Sequence, residues 1–277
     1  MSKKEKKDSV SHWISIATST SGAVTSGIIS AINPTLTGII EASVFGTIIT
    51  EGLQNVGEEM RNRFLSKKET TRIGSSFYFL LEQFDDNIKE GKKIRDDKFF
   101  DNIEGEFNRN EEILEGVLLA AQRSYEEKKV RYISYFYANI LFETRWDGNH
   151  VNHFLRLAEG MSYRQFCLLA IYFYGPEFGL DKGNYSPTSR VIGYDNISEL
   201  NALKDSALLG LTLPLKTGDG KVFMFPPENA FLTEYGLAFF ELFGLGKMPM
   251  EDILEIAGYL VTPEKIAEIR IEGLNRY

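Results

Sequence analysis

From Ser9 to Ile40 the chain carries no Lys, Arg, Asp or Glu, and Glu41 is the only formal charge between Ser9 and Thr50. A run this free of charge has to cover its apolar residues with protein or lipid. Lys3, Lys4, Lys6 and Lys7 precede it, an order shared with secretion signals. Ser15, Thr18, Ser19, Thr20, Ser21, Thr25 and Ser26 nevertheless dilute the stretch below what a cleaved signal or a secure spanning helix requires. Asn33-Pro34 divides it, because proline lacks the helix donor and restricts the residue before it. The spacing therefore predicts two helices meeting at a turn. Val24, Ile28, Ile29 and Ile32 line the first, and Leu36, Ile39, Ile40, Val44, Ile48 and Ile49 line the second. Gly22, Ala23, Gly27, Ala31, Gly38, Ala42 and Gly46 are small enough to let helix backbones approach closely.

Residues 1–65 thus read as a basic prefix and a charge-poor helical hairpin, with two uses open to them. The hairpin packs in a soluble core or oligomer interface, or it associates conditionally with an anionic membrane through the lysine prefix. Glu41 opposes deep insertion in the second case.

Past Arg61 and Arg63 charged and apolar residues mix, and residues 66–157 read as a central helical bundle. Ile73, Phe77, Leu80, Leu81, Phe84 and Ile88 recur at intervals of three and four opposite Glu82, Asp85, Asp86 and Lys89, ending near Gly91. Phe99-Phe100 reads as a local anchor, and the acidic run Asp101 to Glu115 as a solvated face. Glu111 to Glu143 reads as one long helix. Leu114, Val117, Leu118, Ala121, Tyr125, Tyr132, Phe136 and Ile140 form its apolar face, and Glu126 to Lys129 its charged one. Its aromatic residues read as packing groups.

Conventional chemistry is most nearly suggested by Asp147-Gly-Asn-His150-Val-Asn-His153. There two histidines one short turn apart would meet Asp147, Glu143 or Glu159 as nitrogen and oxygen metal ligands. The spacing is not the His-Glu-x-x-His pattern of a zinc hydrolase, and capping or surface roles suit these residues better. The single cysteine, Cys167, lies in the apolar run Phe166 to Ile171 and reads as a small buried hydrophobe, with no intrachain disulfide available. No Walker loop, Rossmann fingerprint, paired Cys-x-x-Cys or nucleophile elbow occurs, so no catalytic, cofactor-binding or metal residue is assigned and no cofactor is called for.

Further along, Ser162 caps a helix through Tyr163, Phe166, Leu169, Ala170 and Phe173, which Gly175-Pro176 should end. Ile197 to Leu209 supplies a second helix with Leu200, Leu203 and Leu208 inward. Leu211 to Leu215 and Lys221 to Phe225 read as a ribbon about the turn Lys216 to Gly220, and Leu232 to Leu242 as a closing helix. This order over Ala158 to Gly244 resembles a winged-helix domain, whose members commonly bind DNA or mediate protein contacts. Residues 156–247 hold eight Lys and Arg against ten Asp and Glu, and the second helix has no basic cluster. That balance supports the protein-contact use over DNA reading, which needs positive groups for phosphates. Two terminal helices, Met250 to Leu260 and one starting at Pro263, close the chain, placing Ile253, Ile256 and Leu260 and then Ile266 and Ile269 on apolar faces.

The expectation is a predominantly α-helical protein divided as 1–65, 66–157, 158–247 and 248–277. With 31 basic against 39 acidic residues, its net charge of -8 gives little general attraction to nucleic acid. The leading function is a cytoplasmic, non-enzymatic regulatory or interaction protein with a protein partner or self-association, assembling through residues 13–50. A membrane-associated cytotoxic or defence effector at the inner face of a membrane is the first alternative, and a helical metal-dependent enzyme the second.

Overall fold

The computed structural model describes residues 66–97, 99, 109–180, 193–211 and 230–272. The hairpin expected within residues 1–65, Phe100, the first part of the acidic run and the extended segment Lys221 to Phe225 with its turn lie outside the described residues. What is described is predominantly helical, with one small two-stranded sheet. The chain divides into two compact units, one up to Gly160 and one from Met161.

The first unit contains α1 (Lys67–Lys89), α2 (Arg109–Arg123), α3 (Glu127–Ile140) and α4 (Gly148–Gly160). A reciprocal capping box starts α1. The Glu69 amide donates to Ser66 Oγ at 3.3 Å and the Ser66 amide to Glu69 Oε2 at 2.7 Å, satisfying two donors that a helix start leaves unpaired. Ile73, Phe77, Leu80, Leu81 and Phe84 are buried as their spacing predicts. Where α1 crosses α3, Ser134 Oγ lies 2.7 Å from Val130 O, to which it donates, and 2.7 Å from Ser76 Oγ, so two buried hydroxyls need no water. Nearer the far end of α1, Asn87 Nδ2 donates to Asn139 Oδ1 at 2.8 Å and to Ala138 O at 3.3 Å, while Gln83 Nε2 donates to Asn87 Oδ1 at 3.0 Å.

The expected single helix from Glu111 to Glu143 is two helices. Ser124 Oγ donates to Glu126 O at 3.1 Å, and Glu126 takes an extended backbone with φ -94° and ψ 94°. Serine competes with the helix by making such local bonds. The break reverses the chain, since Tyr137, late in α3, donates its hydroxyl to Asn110 at the start of α2 at 2.6 Å. Tyr125 consequently leaves the apolar face and is 86% exposed. Lys129, expected on the charged side, is instead buried and donates Nζ to Glu159 O at 3.0 Å, at the end of α4.

Between α1 and α2, Gly91 turns the chain at φ +76°. Arg95, 3% exposed, then gathers the connection. It grips Asp97 through Nε and Nη2 at 2.8 and 2.5 Å and donates to Ile140 O and Trp146 O at 3.3 and 3.2 Å. Its guanidinium also lies 3.8 Å from the centroid of the Phe99 ring, the part of the expected anchor that is described.

The second unit contains α5 (Tyr163–Phe173), a short α6 (Gly175–Phe178), α7 (Gly193–Asp205), β1 (Leu209–Leu211), β2 (Ala230–Leu232), α8 (Glu234–Leu242), a 3-10 turn (Leu245–Lys247), α9 (Met250–Ala257) and α10 (Pro263–Glu272). Ser162 and Gln165 form the capping box of α5. α5 ends at Phe173 with Tyr174 as its C-cap, as Gly175-Pro176 predicts, and Pro176 sits in the first turn of the separate α6, where a missing amide costs nothing. Leu200, Leu203 and Leu208 are buried, and α7 stops at Asp205.

Leu209 pairs with Leu232, Gly210 with Phe231 and Leu211 with Ala230, antiparallel. The ribbon therefore begins two residues before the expected Leu211, and Leu232 is strand where helix was expected. Thr233 caps α8 by accepting the Gly236 amide at 2.9 Å, while its hydroxyl also lies 2.7 Å from Ala207 O. The glycine is required here, since a Cβ on Gly236 would lie 2.0 Å from Leu208 O. Phe239 and Phe243 of this region pack on Phe166 of α5, and Phe240 stacks on Phe173 at 3.9 Å. Both α8 and α9 pack against α5.

Candidate functional site

The His150 and His153 constellation does not assemble. Asp147 Oδ1 accepts the Asn149 and His150 amides at 2.9 and 3.0 Å and lies 2.8 Å from His150 Nδ1, so this carboxylate is engaged in starting α4. The His150 hydrogen bonds hold Asp147 below the usual carboxylate range. Glu143 is engaged by Arg145 at 2.6 and 2.9 Å, and although burial disfavours its charge, those bonds hold its carboxyl below the ordinary value. Among the described residues no group of three or more His, Cys, Asp or Glu is placed to hold a metal ion.

Cys167 is 1% exposed within α5. Tyr132, Tyr135, Phe136 and Tyr137 are likewise interior. Burial raises the ionisation of Tyr135 and Tyr137 well above the ordinary phenol range, and their hydroxyls reach Glu82 and Asn110 at 2.8 and 2.6 Å. They are packing groups with satisfied polar tips.

The winged-helix-like order of the second unit presents a different surface. At its base Ser162 Oγ donates to Glu199 Oε1 at 2.9 Å, Arg164 Nε lies 2.9 Å from Glu199 Oε2, and the Arg164 guanidinium stands 5.1 Å from the Tyr259 ring centroid. Tyr163 donates its hydroxyl to Asp252 at 2.7 Å. These contacts tie the start of α5 to α7 and α9. The sequence held no signal for them, since Ser162 and Glu199 are 37 positions apart and Tyr163 and Asp252 are 89 apart.

With Glu199 turned inward, the exposed positions of α7 include Ser198, Ala202 and Asp205, and Lys204 lies 3.2 Å from Asp205. A helix reading DNA would place cationic or amide side chains outward here. On α8 the outward residues are Glu234, Leu237 and Glu241, at intervals of three and four, and on β2 Phe231 is 45% exposed with its ring over Gly210. The outward residues of α8 and β2 are thus apolar and acidic.

Among the described residues no helix is long and apolar enough to cross a membrane. Comparison of the chain with family models, with curated proteins and with solved structures finds no match.

Proposed function

We propose that this chain is a non-enzymatic regulatory or interaction protein whose winged-helix-like unit receives a protein partner and whose residues 13–50 carry an assembly step that the partner controls. The observation that carries the reading is the outward face of that unit. Phe231 and Leu237 are partly exposed, at 45% and 37%, while Glu234 and Glu241 flank Leu237 on its own helix. Exposed aromatic and aliphatic anchors suit a protein contact, and the acidic flanks disfavour a phosphate backbone.

The test is recovery of a stoichiometric complex by the full chain from its native cell extract, compared with a Phe231→Ala/Leu237→Glu variant of normal helicity. Loss of one identified partner in the variant supports the reading. Equal recovery by both proteins, or no stoichiometric complex at all, refutes it.

A second reading rests on Lys3, Lys4, Lys6 and Lys7 ahead of the charge-free Ser9 to Ile40. In it the chain acts at the inner face of an anionic membrane, each lysine contributing on the order of 1 kcal/mol of attraction to the headgroups. Binding to anionic vesicles that falls when the four lysines become glutamate supports it, and leakage separates a membrane-disrupting effector from an anchor. Absence of vesicle binding removes it.

A further inference from the structure

We infer that one end of the first unit docks on an anionic lipid surface, with Lys67, Lys68, Arg123 and Lys128 toward the headgroups and Tyr125 among them. Helix order brings these residues together. Ser76 meets Ser134 and Asn87 meets Asn139, so α1 and α3 run parallel and begin at the same end. Arg72 donates to Gln122 O at 3.2 Å and Gln122 Nε2 to Glu69 Oε1 at 3.1 Å, which brings the end of α2 to that place. Lys129 Nζ donates to Glu159 O and adds the end of α4. Lys67, Lys68, Arg123 and Lys128 are all exposed there, and among the described residues at this end the exposed carboxylates are Glu127 and Glu159. Glu69 is already held by Ser66 and Gln122.

Helix stability does not explain these cations, because a helix start favours acids and α1 and α3 carry lysines in their first turns. At the far end of the unit the basic groups are matched instead. Lys89 pairs with Asp85, Lys92 with Glu90 at 2.9 Å and Arg145 with Glu143 at 2.6 Å. Among the described residues Lys67, Lys68 and Arg123 have no such carboxylate. Tyr125, 86% exposed in the turn between α2 and α3, adds an aromatic ring with a polar tip, a group suited to the depth of lipid headgroups.

The partner is chosen by shape and by connection. With a net charge of -8 on the chain, an anionic partner has to meet the cations and stay clear of the acids. A flat surface against one end does so. The 23-residue α1 is roughly 34 Å long, about four screening lengths at physiological salt, so the far end lies outside the field of that surface. Ser66, the N-cap of α1, is at the cationic end, so the lysine prefix and the charge-free Ser9 to Ile40 join the folded unit there. Lipid is the anionic partner that also takes up apolar chain. The inference rests on the membrane reading above and adds to it a contact made by the folded unit.

Full-length protein is sedimented with phosphatidylcholine vesicles, with and without phosphatidylserine, using variants of normal helicity that all keep the prefix lysines. Lys67→Glu/Lys68→Glu/Arg123→Glu should weaken binding to the anionic vesicles about tenfold or more. Lys89→Glu/Lys93→Glu/Arg145→Glu makes the same change in net charge at the far end and should alter binding less than about twofold. A polarity-sensitive dye on Tyr125→Cys should shift to the blue on anionic vesicles, and the same dye on Glu112→Cys at the far end should not; Cys167 is 1% exposed and does not compete for label. Equal effects of the two triple variants, or no effect of either, overturn the inference and leave the membrane reading standing where loss of the prefix lysines still lowers binding. Absence of any vesicle binding overturns both. Preference for duplex DNA over vesicles, lost in the first triple variant, assigns this end to nucleic acid and also overturns the inference.

Discussion

Removing Arg95 tests how the first unit is held together, because one side chain joins three parts of the chain. In Arg95→Ala, the carbonyls of Ile140 and Trp146 lose donors at 3.3 and 3.2 Å, Asp97 loses its two-pronged partner, and Phe99 loses the cation on its face. The Ile140 carbonyl still accepts from the Glu143 amide at 3.3 Å, so only the Trp146 carbonyl is abandoned, which costs about 1–3 kcal/mol, and a cation over an aromatic ring contributes about 0.5–2 kcal/mol. Asp97 keeps substantial access to water, with 39% of its side chain exposed, so losing its partner adds little. The combined expectation is a loss of about 2–5 kcal/mol from the first unit. Arg95→Lys, which retains charge but not the planar fork, should lose about half of that. Urea unfolding followed by fluorescence of Trp146, whose own carbonyl accepts from Arg95, reports the transition. Arg95 also holds the Asp97 carboxyl below its ordinary value. A depressed carboxylate stabilises the fold above its unfolded value, near pH 4, and that contribution is lost as pH falls through the lower folded value. The wild type should therefore lose stability more steeply than Arg95→Ala on acidification below about pH 4. A loss under about 1 kcal/mol in Arg95→Ala would refute the claim that this residue organises the unit.

Gly236→Ala should cost about 3 kcal/mol or more, because its Cβ meets the Leu208 carbonyl at 2.0 Å; a thermal melt lowered by less than a few degrees would contradict the tight turn. Hydrogen bonds from Ser66 and Gln122 lower Glu69 to about 2, so its contribution is present above the unfolded value near 4.3 and fades as pH falls toward 2. Glu69→Gln should flatten the pH dependence of unfolding across that window, and an identical profile would dismiss the capping box as an acid-sensitive link. Ser162→Ala and Glu199→Gln should show a coupling of about 0.5–1.5 kcal/mol in a double-mutant cycle read by urea unfolding, whereas strict additivity would mean that their contact at 2.9 Å contributes nothing to stability.

Local periodicity was sufficient for much of the architecture. Ile73, Phe77, Leu80, Leu81 and Phe84 are buried because three- and four-residue spacing places them on one helical stripe. Ser162 begins α5 because a serine followed by glutamine at the third helical position can bond back reciprocally, a property readable in four residues. The apolar facing of Leu200, Leu203, Ile253, Ile266 and Ile269 was legible on the same grounds. The acidic balance that disfavoured DNA reading was a matter of counting.

Other features depended on partners distant along the chain. Ser124 to Glu126 looked like a continuous helix, and its break became clear only with Tyr137 brought back against Asn110. Lys129 looked solvated until the last turn of α4 presented its carbonyl, and Leu232 looked helical until Leu209 paired with it. The polar base of the second unit, Ser162, Arg164 and Glu199 with Tyr163 and Asp252, had no local pattern at all. Nor did the candidate surface, since exposure of Phe231 and Leu237 depends on where other elements pack. Periodicity depends on the geometry of one helix or strand and is carried by neighbouring residues, so the sequence alone determined the helical character and most inward faces. Buried polar pairing and surface exposure depend on distances between segments remote in sequence, and only the tertiary structure decided those.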